Sequence, residues 1–254
     1  MVLNRIEIKY YKKPKISKSI LVSGLPGIGN VGKIAADYLV ETLGMEKIID
    51  IFSQYFPPQV FIGDDSVVRL VRNSIYHKKI PRKFDLLVLV GDFQGTTQEG
   101  QYELSGAILD IAKELRVNMI YTLGGYSTGK IVEAPRVLGA VTDEDIVEPL
   151  KKGGVVFPKG EPGGGIVGSA GVILGLAKEV YSIRGACLMG ETSGYFADPK
   201  GAREVLRALC RILNIDVDMS EIEERSREIE QITEKMQEDI QNKVQQKEDL
   251  GYFG

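Results

Sequence analysis

The run Gly24-Leu-Pro-Gly-Ile-Gly-Asn-Val-Gly-Lys33 has the residue types and spacing to hold an anion. Glycines let the backbone approach closely and adopt left-handed angles, and a helix opening straight after them presents its amides. Gly27-x-Gly29-x-x-Gly32 matches the dinucleotide fingerprint, and Asp50 lies about twenty residues on, where a ribose-binding acid belongs. Against this, Asp50 sits inside the run Lys47-Ile-Ile-Asp-Ile-Phe52 rather than at its end, and the turn starts from Leu25-Pro26. The P-loop reading fails more clearly, because Ile34 stands where a hydroxyl must bind magnesium. Two readings stay open: an anion or nucleotide site, and a tight strand-to-helix turn whose glycines serve close packing.

Other chemistry-bearing residues follow apolar runs. Asp92-Phe-Gln94, Tyr126-Ser-Thr128 with Lys130, and Glu191-Thr-Ser193 each stand where a strand is expected to end. In open α/β sheets such ends line the usual crevice. A crevice of Gly27, Gly29, Asn30, Asp92, Thr128, Lys130 and Glu191 is therefore the candidate ligand site, against the alternative that these side chains cap loops. The single histidine, His77, lies in Tyr76-His-Lys-Lys79 and is expected at an exposed strand end. A Ser-His-Asp triad would need it as base, multi-histidine metal sites are excluded, and no carboxylate cluster has ligand spacing. No Gly-x-Ser-x-Gly elbow occurs. No enzyme class assembles itself, and no cofactor is expected.

The elements that would position these residues alternate. Ser19 to Ser23 reads as a buried strand. Val31 to Leu43 reads as a helix closed by Gly44, and Lys47 to Phe52 as a second strand. Gln59 to Asp64 and Ser66 to Arg72 look like paired strands turning at Asp64-Asp65. Strands are expected again at Phe84 to Gly91, Val117 to Leu123 and Ile183 to Met189. Helices are expected at Gln101 to Leu115, Ile166 to Tyr181 and Pro199 to Leu213, the last capped by Asp198. Thr142-Asp-Glu-Asp145 reads as a capping box before a short helix. This rhythm predicts an α/β fold with a mainly parallel twisted sheet flanked by helices.

After Asp218 the character changes. Residues 220–246 contain no glycine or proline, and Ile222, Ile229, Ile232, Met236, Ile240 and Val244 form one narrow apolar stripe. The expected organisation is an α/β core over 1–218, a long C-terminal helix over 219–247 and a short flexible tail over 248–254. The helix stripe needs a partner, either its own core or the same helix of a neighbouring subunit.

Bulk composition excludes several classes. Of 254 residues, 43% are apolar and 26% charged, with 32 basic and 35 acidic side chains giving a net charge of −3. No basic stripe points to nucleic acid, and no apolar window reaches membrane-spanning length. Cys187 and Cys210 lie outside any C-x-x-C spacing, so two buried thiols in a cytoplasmic protein are expected.

An ordered set of runs carries a resemblance over about Ile20 to Ile215. These are Gly24 to Gly32, Phe56-Pro-Pro-Gln-Val60, Gly91-Asp-Phe-Gln94, Tyr121 to Gly129, Gly164-Gly-Ile-Val-Gly168, Leu188 to Tyr195 and Asp198-Pro-Lys200. The chain resembles the proteasome assembly chaperone family in its archaeal branch, members of which are sometimes labelled ATP-grasp-like. The resemblance implies an α/β body forming homo-oligomers or pairing with a paralogous family member, proteasome α-subunits as partners, and binding without catalysis. It also implies a tail ending in a hydrophobic residue, a tyrosine and any residue, docked between α-subunits. Tyr252, Phe253 and Gly254 fit that ending with Phe253 in the tyrosine's place, which removes a hydroxyl.

Overall fold

A computed structural model of the chain describes residues 4–161 and 163–227. In chain order, β1 (Ile6–Tyr10) and β2 (Ser19–Gly24) precede α1 (Val31–Thr42) and β3 (Glu46–Ser53). A short ribbon, β4 (Val60–Ile62) and β5 (Val68–Leu70), leads to β6 (Asn73–Ile80), β7 (Phe84–Gly91) and α2 (Gln98–Glu114). Then come β8 (Val117–Ser127), β9 (Val137–Val141), α3 (Val147–Lys152), β10 (Val155–Val156), α4 (Ser169–Glu179), β11 (Arg184–Thr192) and α5 (Pro199–Leu213).

The sheet owes its two covered faces to strands that are apolar at successive positions. In β2 and β7, Val22, Leu86 and Val88 pack against Val31, Ala35 and Leu39 of α1 and Val205, Leu206 and Leu209 of α5. Their neighbours Leu21, Leu87 and Leu89 point the other way, onto Leu104, Ile108 and Ile111 of α2 and Ile173 and Ala177 of α4. A strand buried on both faces reads as a continuous hydrophobic run, which is why β2 and β7 are legible in the sequence. The sequence also marks the helix starts. Thr97 accepts from the Gly100 amide at 3.0 Å and Asp198 from the Gly201 amide at 2.8 Å, capping α2 and α5.

The expected mainly parallel sheet is corrected to a mixed one. The order is β1-β3-β6-β7-β2-β8-β11-β9-β10. β7, β2, β8 and β11 run parallel, while β1, β3 and β6 add antiparallel pairs on one side and β9 pairs antiparallel with β11 on the other. The cause on one side is a hairpin: β6 reaches β7 through residues 81–83, with Arg82 at φ 61° and the Lys83 amide on the Ile80 carbonyl. So short a connection joins only antiparallel neighbours. His77, expected at an exposed strand end, instead sits within β6 opposite Leu87, half-buried, with Nε2 2.9 Å from Asp85 Oδ1. The capping box is also corrected: the Thr142 hydroxyl turns to the Gly185 backbone rather than capping α3.

Residues 220–227 are helical and lie on the α1 and α5 face. There Ile222 and Val217 are buried, the Tyr38 hydroxyl donates to the Asp218 carbonyl at 2.9 Å, and Arg207 pairs with Glu223 at 2.9 Å. The long helix expected over 219–247 is thus described only to residue 227. The tail 248–254, with Tyr252, Phe253 and Gly254, lies outside the described residues. Among those described, no helix is long and apolar enough to cross a membrane.

Candidate functional site

β2 leads into α1 on one face of the sheet, and its parallel neighbour β7 leads into α2 on the other. Such a reversal opens a crevice beyond the carboxyl ends of the strands. A cavity of about 260 Å³ lies there, lined by Ser23, Gly27, Gly32, Gln94, Ser169 and Cys187 among others. Of the residues expected to form the crevice, Gly27 is the one that lines it.

The glycine run is shaped by the protein's own packing. Gly29 and Asn30 take left-handed angles, φ 60° and 49°, in a 3-10 turn over Ile28–Asn30, and Asn30 gives α1 no side-chain cap. A Cβ on Gly32 would stand 2.2 Å from the Leu123 carbonyl oxygen, so this glycine lets the first turn of α1 rest directly on β8. The Gly29 carbonyl in turn accepts from the Asp198 amide at 2.8 Å, tying the loop to the start of α5.

Gln94 is among the cavity-lining residues that sequence reasoning left out of the crevice. Its amide nitrogen donates to the Pro26 carbonyl at 2.5 Å, while its oxygen accepts from the Ser169 amide at 2.9 Å and from Gln101 Nε2 at 3.2 Å. One side chain thereby joins the glycine loop, the start of α4 and the first turns of α2. Its place two residues after Asp92, at the end of β7, was the available signal.

The two acidic candidates stand apart from the cavity, each held by an arginine distant in sequence. Asp92 takes a two-pronged grip from Arg69, at 2.6 and 3.0 Å, plus the Arg72 amide at 3.0 Å. Burial pushes its pKa up, but these donors outweigh burial and hold it below the usual carboxylate value. Glu191, 5% exposed, accepts from Arg136 through Nε at 2.9 Å, Nη2 at 2.5 Å and the backbone amide at 2.9 Å. The Arg136 hydrogen bond holds its pKa low. Thr128 closes its own loop, its amide on the Thr192 carbonyl at 2.9 Å and its hydroxyl on the Lys130 carbonyl at 2.8 Å, and Lys130 is exposed.

Asp50, the candidate ribose acid, lies in β3, with β6 and β7 between it and β2. It is ringed by Ser74 at 2.5 Å, Tyr11 at 2.7 Å, Lys47 at 3.1 Å and Arg72 at 3.2 Å. Burial raises its pKa, yet these donors bring it below the ordinary value. Paired, ionised carboxylates make poor proton donors near neutral pH. Burial pushes the Cys187 thiol up to about 11 and the Cys210 thiol to about 12, so both stay protonated. Both cysteines are free and buried. Among the described residues no group of three or more His, Cys, Asp or Glu is placed to hold a metal ion.

The β4–β5 ribbon stands outside the main sheet. Its Phe61–Arg69 cross-strand pair faces the body. Arg69 lies 4.5 Å over the Phe61 ring while gripping Asp92, and Phe61 stacks on Phe93 with centroids 6.4 Å apart.

The sequence profile of the PAC2 family matches residues 21–237. The solved structure of Pyrococcus furiosus PbaB, described as an archaeal proteasome activator, is 38% identical, with 92% of this chain and 100% of that chain covered and a TM-score of 0.87. P. furiosus PbaA, described as an archaeal homolog of proteasome-assembly chaperone, shares the fold: TM-score 0.77 at 24% identity, over 96% of this chain and 97% of that one. The uncharacterized protein MJ1210 of Methanocaldococcus jannaschii is 39% identical over 246 residues, 94% of this chain and 93% of its own length.

Proposed function

Because this chain belongs to the PAC2 family, we propose that it is a cytoplasmic proteasome assembly chaperone or activator that works by binding rather than catalysis. The observation that carries the reading is the 38% identity to PbaB, an archaeal proteasome activator, along the whole of that chain. The engagement of Asp92 by Arg69 and of Glu191 by Arg136 supports a binding role, since both carboxylates already serve the scaffold.

In this reading the α/β body forms a homo-oligomer, or pairs with a paralogous subunit, and the segment 219–247 carries the tail 248–254 away from it. Tyr252, Phe253 and the Gly254 carboxylate dock between proteasome α-subunits, the carboxylate by charge and the rings by burial. Phe253 lacks the hydroxyl of a tyrosine, so each tail binds weakly and several tails on one oligomer act together. Phe253→Tyr is expected to tighten binding by about tenfold, the worth of one good hydrogen bond.

The test is native mass spectrometry of purified α-subunits with and without the chain. A defined complex of the two supports the reading, and separate species at every ratio overturn it. A second reading rests on the cavity beside Gly27: a small phosphate-bearing ligand held by the glycine loop. A thermal shift with ATP, NAD and phosphate separates the two, because a specific ligand raises the melting temperature by mass action. The binding role predicts no shift.

A further inference from the structure

We propose that the cavity between the glycine loop and the start of α4 binds a small uncharged ligand, an apolar body carrying one hydroxyl or amide group. This keeps the cavity of the second reading above but exchanges its phosphate for a neutral head group, and it does not depend on proteasome binding.

The floor of the cavity calls for a hydrogen-bonding group. Ser23, Thr122 and Cys187 stand in register across β2, β8 and β11. Ser23 and Thr122 lie two residues beyond Leu21 and Ile120, so their side chains leave the sheet on the α2 and α4 side. Ser23 lines the cavity, is 3% exposed, and its hydroxyl pairs with no described residue. Thr122, fully buried, finds no better partner than the weakly accepting Cys187 thiol. Buried hydroxyls left unpaired are costly. A ligand group that can donate and accept relieves the one that faces the cavity.

Glycines that packing does not require hold the space open. A Cβ on Gly32 would strike the β8 backbone, but one on Gly124 would have only Met189 Cγ near it, at 4.0 Å, and one on Gly165 nothing within 4 Å. Both line the cavity. Glycine inside a strand weakens it and marks places where something else approaches the backbone.

The walls decide the charge of the occupant. Among the described residues no charged side chain lines the cavity, and Leu25, Ile166 and Met189 give it apolar walls. The donors that a phosphate loop offers are missing or engaged. Pro26 has no amide hydrogen, and the first amide of α4, on Ser169, is taken by Gln94 Oε1 at 2.9 Å. An anion entering here would lose its water without gaining a counter-charge. At about 260 Å³ the cavity has the volume of about nine waters, which suits a ligand of roughly that many non-hydrogen atoms.

The test titrates the full chain with benzamide and benzyl alcohol, with benzoate as the charged counterpart of benzamide and inorganic phosphate as a fourth arm, each followed by ligand-detected NMR. Benzamide is expected to saturate with the millimolar affinity usual for so small a probe, benzoate to bind at least tenfold more weakly, and phosphate not to bind. Gly124→Val fills the open space and is expected to abolish benzamide binding. Ser23→Ala is expected to weaken it about tenfold, as loss of one hydrogen bond does. Both variants should keep the wild-type circular-dichroism spectrum. No saturation by either neutral probe, benzoate as tight as benzamide, or a folded Gly124→Val that binds like wild type overturns the inference. If valine unfolds the chain, Gly124→Ala takes its place, and benzamide affinity unchanged in both Gly124→Ala and Ser23→Ala overturns it. Saturable phosphate binding without benzamide binding upholds the phosphate reading and overturns this one. Benzamide binding by a chain that captures no α-subunits supports the inference and sinks the proteasome reading alone.

Discussion

Asp50 has a side chain entirely removed from solvent and accepts from Ser74, Tyr11 and Lys47 while paired with Arg72. Removing it leaves Ser74 and Tyr11 without their acceptor and the half-buried Lys47 and Arg72 without their counter-ion, so Asp50→Ala is expected to cost about 1–3 kcal/mol in a denaturant titration. Asp50, Asp92 and Glu191 all have folded pKa values below their ordinary ones. Each therefore adds stability that is fully present above the ordinary value, 3.8 for aspartate and 4.5 for glutamate, and is lost as pH falls through the lower folded value. The denaturation midpoint should hold from neutral pH to about 5 and fall below about 4, and less steeply in Asp50→Asn. A midpoint that stays level down to pH 3 would contradict this. Residue type alone suggested that Asp92 and Glu191 await a ligand. Their partners, Arg69 and Arg136, stand 23 and 55 positions away, so no local pattern could reveal that the fold had already engaged them.

At the scale of elements, helix starts and doubly buried strands were legible because caps and apolar runs are local. β2, β3, β7, α1 and α5 fall within a few residues of the sequence reading. β1, β6, β9 and β10 do not announce themselves. β6 begins with Asn73 and Ser74, which are buried yet polar, and Lys78 reaches the Leu43 carbonyl with its ammonium. β9 carries Gly139 because the Phe157 ring occupies the space of a side chain, 2.5 Å from where a Cβ would stand. Strand direction is invisible for a related reason: a buried run looks the same parallel or antiparallel. Asp198→Ala should destabilise by about 1 kcal/mol through loss of the α5 cap. Gly32→Ala should cost about 1–3 kcal/mol or more, because the carbonyl it meets belongs to the backbone of β8 and cannot turn aside. Equal melting temperatures for Gly32→Ala and wild type would show that α1 does not rest on β8 as described.

For the whole molecule, the glycine run that looked most like an enzyme's phosphate site lets α1, α5 and β8 meet closely. The residues that carry the resemblance to proteasome chaperones fall largely at the same end of the sheet, where Gln94 joins the glycine loop, α2 and α4. An exposed apolar ribbon, β4–β5, stands beside this end, and partner binding is proposed for the C-terminal segment. Whether this segment binds proteasome α-subunits is decided by one titration. Immobilised α-subunits are titrated with the full chain and with a chain ending at Gly251, and affinity is read by interferometry. Saturable binding by the full chain and at least a tenfold loss on truncation, with oligomeric mass unchanged, are expected. Equal affinity for both chains, or binding by neither, would contradict it.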